Sequence, residues 1–350
     1  MNTVAVRLLS QQLVKPQFAS AVDVVTHMGA MQAQDYRMVR WAVDMRMRKP
    51  SEGDFRRAFD HGDIVRLHLM RGTWQLVAGA DYWWLLSLYA KKAERVIRGW
   101  MKTNKVTIDD RELVAVRDVI VQTCDAKKSA TKEDFSSALA GRGIHMDSHR
   151  LSYHIRLAEL SGTLCSGNLS PMRATYALCE GKVPPAVALS NDEMLERLAR
   201  KYFQSHSPAT FDDFLWWSGL TATECRRAIA ALGADLMEFR DKDRQFYLYR
   251  LCRTSGFRSG ANHLLPPFDE YLVGYKSRDL VLAPEHVGHA HTGNGIFFPV
   301  VARNGIICGN WTPWQDEVAV QFFKGEADFA KQIKAYVKFR QSEALTCQNG

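Results

Sequence analysis

The sequence predicts an α+β protein, mainly α: three successive helix-helix-helix-hairpin units packed together plus a small C-terminal antiparallel β-sheet with a covering helix. Three observations carry this. Apolar residues recur at helical spacing in short blocks, each halted by glycine or proline. After every third block, two apolar runs flank a tight turn. Near the C-terminus, Asn304-Gly305, the strongest short hairpin signal, separates two more such runs.

In the first unit, Val4, Leu8, Leu9 and Leu13 space as a helix, and Ala21, Val24, Val25 and Met28 as a second, stopped near Gly29. Ser51 is an N-cap candidate with Asp54 three residues on, a capping box with a shorter acid. Ile64–Leu69 and Trp74–Val77 around Arg71-Gly72-Thr73 read as a hairpin. The second unit repeats the order: Leu113, Val116, Val119 and Ile120; a cap at Ser129 to Thr131 leading to Phe135 and Leu139; Asp147 opening a helix halted by Gly162; then Thr163–Cys165 and Ala174–Leu178 as strands. The third runs from Met194 to Phe203, then Phe211 to Trp217, then Ala222 to Leu232 capped by Thr221, and closes on a hairpin around Asp241-Lys242-Asp243. Trp83-Trp84 and Trp216-Trp217 fall at core positions of helices. Three helices followed by a hairpin is the winged-helix order, so three tandem winged-helix units are expected over 1–100, 101–188 and 189–258. Residues 259–350 carry the sheet, with Val318, Val320 and Phe322 as a further strand, and a final helix through Phe329, Ile333, Tyr336 and Val337.

A chain of 350 residues with 46% hydrophobic and 24% charged residues has the composition of a globular protein with a large core. Polar residues interrupt the first fifteen positions, and no run approaches the length of a membrane span, which makes the cytoplasm the default location. Seven cysteines without a Cys-x-x-Cys pair argue against a disulfide framework or a zinc ribbon. The net charge of +8 permits a polyanionic partner, and its distribution favours one: Arg37 to Arg71 holds nine Lys/Arg against five Asp/Glu.

That basic run follows Gly29-Ala30-Met31-Gln32-Ala33-Gln34-Asp35-Tyr36-Arg37. Residues i and i+2 point about 200° apart on a helix but share a face in an extended backbone. If Gln32 and Gln34 act together, the stretch is extended or a turn; the same spacing also fits a polar helix end with two solvated amides. Tyr36, Trp41 and Trp74 are stacking candidates, and Arg37, Arg40, Arg46 and Arg71 phosphate contacts, set against core packing for the aromatics and a solvated helix face for the arginines.

Glu285-His286-x-x-His289-x-His291 lacks the i,i+4 spacing of a helical zinc motif, and Pro284, Gly288 and Gly293 mark a mobile loop, so no metal and no cofactor are expected. Asp269-Glu270-Tyr271 follows Pro266-Pro267 on a stiff turn that either supports the glutamines or caps the next element.

Taken in order, several stretches resemble the AlkZ-like winged-helix DNA glycosylases. They are Met31-Gln32-Ala33-Gln34, Arg71-Gly72-Thr73-Trp74, His206-Ser207-Pro208-Ala209-Thr210 with Trp217-Ser218-Gly219-Leu220, Leu265 to Leu272 with Gly274-Tyr275-Lys276-Ser277-Arg278, and Asn304-Gly305 with Gly309-Asn310-Trp311. The resemblance implies tandem winged helices on double-stranded DNA and removal of alkylated purines, in some members with unhooking of interstrand crosslinks. It implies that Gln32 and Gln34 are catalytic, since Gln32-Ala33-Gln34 matches the family's Gln-apolar-Gln motif rather than the sister branch with Asp at the second position. Asp35, Gln75, Asp269 and Tyr271 are supporting candidates. Gln75 stands where the family pattern has histidine, and Ser207 where it has glycine; the first departure bears on substrate range. The expected enzyme is a monofunctional, metal-independent, monomeric N-glycosylase. The alternative is a non-enzymatic winged-helix regulator, which would give a sequence-specific footprint, commonly as a symmetric dimer.

Overall fold

In the computed structural model, which describes residues 2–170, 173–314 and 317–348, the chain is α+β, about half helical, with small antiparallel sheets. It divides into two compact units. One is continuous, Arg56–Leu189; the other joins Met1–Phe55 to Ser190–Gly350.

The continuous unit opens on the hairpin Ile64–Leu69 with Thr73–Ala78, in a register that sets Leu67 opposite Gln75 and His68 opposite Trp74. A helix over Tyr82–Thr103 follows, longer than any the sequence led us to expect. Its buried residues are Tyr82, Trp84, Leu85, Leu86, Tyr89, Ala93, Ile97 and Met101, a broad face at the start that narrows to a stripe at every fourth residue from Tyr89 on. Helices Asp110–Lys127, Lys132–Ala140 and Ser148–Leu160 come next, with a sheet in which Thr175–Leu178 lies between Ala130–Thr131 and Leu164–Ser166. Local chemistry sets their starts. Asp109 and Asp147 cap two of the helices, and Thr131 with Asp134 closes a capping box on the third. Val116, Ile120, Phe135, Leu139, Leu151, Ile155 and Leu164 make the core between them.

In the discontinuous unit, helices Thr3–Ser10 and Ala21–Met28 pack with Asn191–His206. Arg7 is buried there: its Nε donates to the Pro208 carbonyl at 2.9 Å, its Nη2 lies 3.4 Å from Asp213, and it stacks on Tyr275 at 3.7 Å. Helices Phe211–Ser218 and Ala222–Leu232 each start at a threonine capping box, and the hairpin Leu236–Asp241/Arg244–Tyr249 turns at Lys242 and Asp243. The C-terminal sheet has four strands rather than three: Asn262–Leu265 adds to Val300–Arg303, Ile306–Trp314 and Glu317–Phe322. Asn304 and Gly305 take φ of 50° and 84°, the left-handed pair of a tight hairpin turn. Helix Ala330–Gln348 lies on this sheet, and its Tyr336 and Phe339 pack with Trp41 and Trp311.

Two expectations need correction. Trp84 and Trp217 are buried, but Trp83 is half-buried and Trp216 is 38% exposed, each turned about 100° from its buried neighbour. The stretch expected as a loop around His286 is ordered instead as a 3-10 turn, Pro284–His286, and a short helix, Val287–Ala290.

Candidate active site

Helix Ala21–Met28 ends on Gly29 at φ 77°, where a Cβ would sit 2.8 Å from the Lys201 Cβ. Glycine frees the chain to turn sharply. Met31–Gln32 then run extended, and Ala33 to Asp35 continue without helix. Burial alternates along the stretch: Met31 and Ala33 are inside, Gln32 is half-buried and Gln34 exposed. The period of two sets both glutamines apart from the apolar residues that anchor the strand. Asp35 ends the stretch. Its Oδ1 accepts the Arg37 and Met38 N–H groups at 3.0 and 2.9 Å and so starts helix Met38–Asp44, which makes Asp35 a cap.

The main chain of the motif is held from far along the sequence. The Gln32 N–H donates to Glu270 Oε1 at 2.6 Å. Glu270 is 2% exposed, and its Oε2 accepts the Trp217 indole N–H at 3.0 Å and faces His206 Nε2 at 3.3 Å. Asp269, beside it, accepts Arg46 through both oxygens at 2.8 Å while its Oδ1 caps Tyr271 at 2.9 Å. Asp269 thus caps the next element and pairs with Arg46. Its neighbour Glu270, not singled out from sequence, accepts the Gln32 N–H of the motif. The signal was a second acid directly after the Pro266-Pro267 turn.

Other predicted site residues divide by placement. Tyr36 and Arg37 are half-buried beside the motif. Arg40 and Arg46, expected at phosphates, are 3% and 0% exposed; Arg40 lies 3.3 Å from Glu52, and Arg46 is forked on Asp269. A phosphate would have to displace a buried carboxylate to reach them, so neither belongs to a phosphate-facing surface. Trp41 is core, its indole N–H donating to the Leu264 carbonyl at 2.8 Å. Tyr271 is buried, its hydroxyl on the Gly305 carbonyl at 2.9 Å, and burial pushes that phenol well above its ordinary pKa. It is a strut.

Arg71, Trp74 and Gln75 belong to the continuous unit. Arg71 and Trp74 are half-buried. Trp74 already meets the His68 ring at 3.6 Å and the Arg66 guanidinium at 3.8 Å, and His68 is paired with buried Glu159 at 2.7 Å. Gln75 is buried, with its Nε2 donating to Thr73 Oγ1 at 2.8 Å. Ser207 uses the hydroxyl that glycine would lack: it donates to the Phe203 carbonyl and accepts the Tyr249 N–H at 2.9 Å.

Among the described residues no three His, Cys, Asp or Glu side chains gather as a metal-binding group. His286 and His289 instead face Phe323, and His291 faces Phe297. No helix among the described residues is long and apolar enough to cross a membrane.

Three comparisons with known proteins agree. The model of the family "DNA glycosylase AlkZ-like" matches residues 25–335. An interstrand DNA cross-link repair glycosylase of Streptomyces sahachiroi is 26% identical over 343 residues, covering 90% of this chain and 88% of that protein. The solved structure of the Streptomyces sahachiroi DNA glycosylase AlkZ superposes with a TM-score of 0.76 at 23% identity, covering 95% of this chain and 93% of the other, a likeness of fold. With the family match running over most of its length, the chain belongs to the AlkZ-like DNA glycosylases, enzymes that cleave N-glycosyl bonds in DNA.

Proposed function

We propose that this glycosylase hydrolyses the N-glycosidic bond of alkylated purines in double-stranded DNA, N7-alkylguanine adducts above all, with one water oriented by Gln32 and Gln34. The observation that carries the reading is the alternation of burial along Met31 to Gln34, which leaves Gln32 half-buried at the end of a two-residue strand and Gln34 exposed on the bend that follows. Most glycosidases need two carboxylates, one to protonate the leaving group. An N7-alkylguanine already carries a positive charge and departs as a neutral base without a proton. What remains is to place a water and to tolerate an oxocarbenium-like sugar. Two carboxamide oxygens accept hydrogen bonds from one water and present partial negative charge to the cation; the gain is mostly positional.

Tyr36 and Arg37, beside the motif, and Arg71 and Trp74, in the other unit, are the DNA contacts we propose. No lysine lies within ten residues of Gln34 on either side, in keeping with a monofunctional enzyme. The relative named as a cross-link repair glycosylase makes interstrand crosslinks the first bulky lesion to try. The order of elements supports three tandem winged-helix units, with residues 259–350 as the closing sheet and helix; the enzyme we propose acts as a monomer.

The test is base release from a duplex carrying N7-methylguanine, with wild type, Gln32→Ala and Gln34→Ala compared under single turnover. Release by wild type and its loss in both variants, with salt-dependent DNA binding intact, is the expected result. No release from this duplex or from a crosslinked one sinks the proposal. So does full activity in either variant.

A further inference from the structure

We propose that Glu270 is the positioning residue of the glutamine motif: its buried carboxylate fixes the main chain of Gln32 and thereby sets where both carboxamides stand. This rests on the two-glutamine reading above. A carboxylate shut away from water is costly unless fully hydrogen-bonded, and Glu270 is held on both oxygens. Oε1 takes the Gln32 N–H at 2.6 Å, a short charge-assisted bond; Oε2 takes the Trp217 indole N–H at 3.0 Å and faces His206 Nε2 at 3.3 Å.

Those partners are themselves fixed. Trp217 is 1% exposed, and His206 stacks on Tyr202 at 4.7 Å with its Nδ1 2.8 Å from Ser205 Oγ. Gly274 is cut to fit this arrangement, since a Cβ there would sit 2.6 Å from the His206 ring. The Glu270 carbonyl also accepts Gln11 Nε2 at 3.2 Å, and Gln11 Oε1 accepts Arg46 Nη2 at 3.1 Å.

Consecutive residues therefore tether both ends of the stretch that bears Gln34: Glu270 holds residue 32, and Asp269 holds Arg46, just past helix Met38–Asp44. Without Glu270 the motif loses the bond that fixes its entry. Glutamine at 270 keeps the shape but has one acceptor oxygen, so its NH₂ must face either the Gln32 N–H or the Trp217 N–H.

The experiment measures single-turnover release from the N7-methylguanine duplex and DNA Kd for wild type, Glu270→Gln, Gln32→Ala and the double variant. Amide hydrogen exchange at Gln32 is measured in the full chain alongside. Glu270→Gln should slow release by about 100-fold, the cost of misplacing a reacting group by about 1 Å, with Kd unchanged. The double variant should be slower than Gln32→Ala by much less than the full Glu270→Gln factor, because only the Gln34 carboxamide is left to position. Exchange at the Gln32 N–H should speed up.

A wild-type rate in Glu270→Gln, a weaker Kd at an unchanged rate, or a loss that multiplies onto Gln32→Ala overturns the proposal. If Glu270→Gln fails to fold, Trp217→Phe removes one anchor of Oε2 and should slow release at constant Kd; an unchanged rate there counts equally against it. If wild type releases no base, the two-glutamine reading falls on its own, and the exchange at Gln32 still decides whether Glu270 holds the motif.

Discussion

Arg46 and Asp269 form a buried ion pair whose removal can be sized from its geometry. Arg46 is 0% exposed, and each oxygen of Asp269 receives one of its nitrogens at 2.8 Å. Two further bonds, to the Ala42 carbonyl at 2.8 Å and Gln11 Oε1 at 3.1 Å, fix the guanidinium. Asp269→Asn keeps an oxygen to cap Tyr271 but turns one of the facing pair into a donor and leaves Arg46 without its counter-charge. Each charge-assisted bond contributes about 1.5–3 kcal/mol, and stranding a buried charge costs about 3–5 kcal/mol, so the variant should lose about 3–5 kcal/mol. Arg46→Met should lose a similar amount by stranding the carboxylate. Combined, the two should cost clearly less than their sum, because the second change removes the charge that the first left stranded, with a coupling of about 2–3 kcal/mol. Urea denaturation followed by tryptophan fluorescence reads all four proteins at once. Additivity within about 0.5 kcal/mol, or a loss below about 1 kcal/mol for Asp269→Asn, would refute the reasoning.

Arg37→Ala should lower the slope of log K for DNA against log salt by about 0.9, one phosphate contact, whereas Arg46→Met should leave it unchanged; equal slopes in both variants would return Arg46 to the DNA surface. Base release should be flat across neutral pH, since carboxamides do not titrate, and a bell-shaped single-turnover profile would require an ionising group in the mechanism. Burial lowers the His27 pKa to about 4, with its Nε2 2.7 Å from the Ser10 carbonyl and His206, Lys201 and Arg253 adding repulsion. The unfolded chain then binds the extra proton between about pH 6.5 and 4, so this contribution is whole above that window and is lost as pH falls through it. Denaturation midpoints measured down that range should fall less steeply in His27→Gln. Gly305→Ala puts a Cβ 2.5 Å from Val4 Cγ1 and 2.7 Å from the Tyr271 hydroxyl at φ 84°, and should cost roughly 2–4 kcal/mol by thermal or urea denaturation.

What the sequence disclosed was local. Caps such as Thr131 with Asp134, the Asn304-Gly305 turn, and the stripe from Met194 to Phe203 each depend on neighbours within a few residues, so they could be read directly. The glutamine spacing was legible only as a condition, an extended stretch or turn if the two side chains act together and a polar helix end otherwise; the stretch is not helical. Long-range pairings were opaque. Arg46 looks like any surface arginine until Asp269 is beside it, and the second acid after Pro266-Pro267 does not by itself say which backbone N–H, 238 residues away, it accepts. The helix Tyr82–Thr103 was legible in its spacing, yet Lys91, Lys92, Glu94, Arg95 and Arg98 dilute the apolar signal along its second half.

The tethers of the glutamine motif also set an order of events during synthesis. Arg7 with Asp213, Trp41 with Leu264, Gln32 with Glu270 and Arg46 with Asp269 each join residues more than two hundred positions apart. At ribosomal rates of about 5–20 residues per second, the strand that carries Gln32 waits many seconds for the residue that fixes it. The segment 56–189 has its own core and needs no such wait. A chain interrupted before residue 270 therefore carries the motif without the carboxylate that accepts the Gln32 N–H.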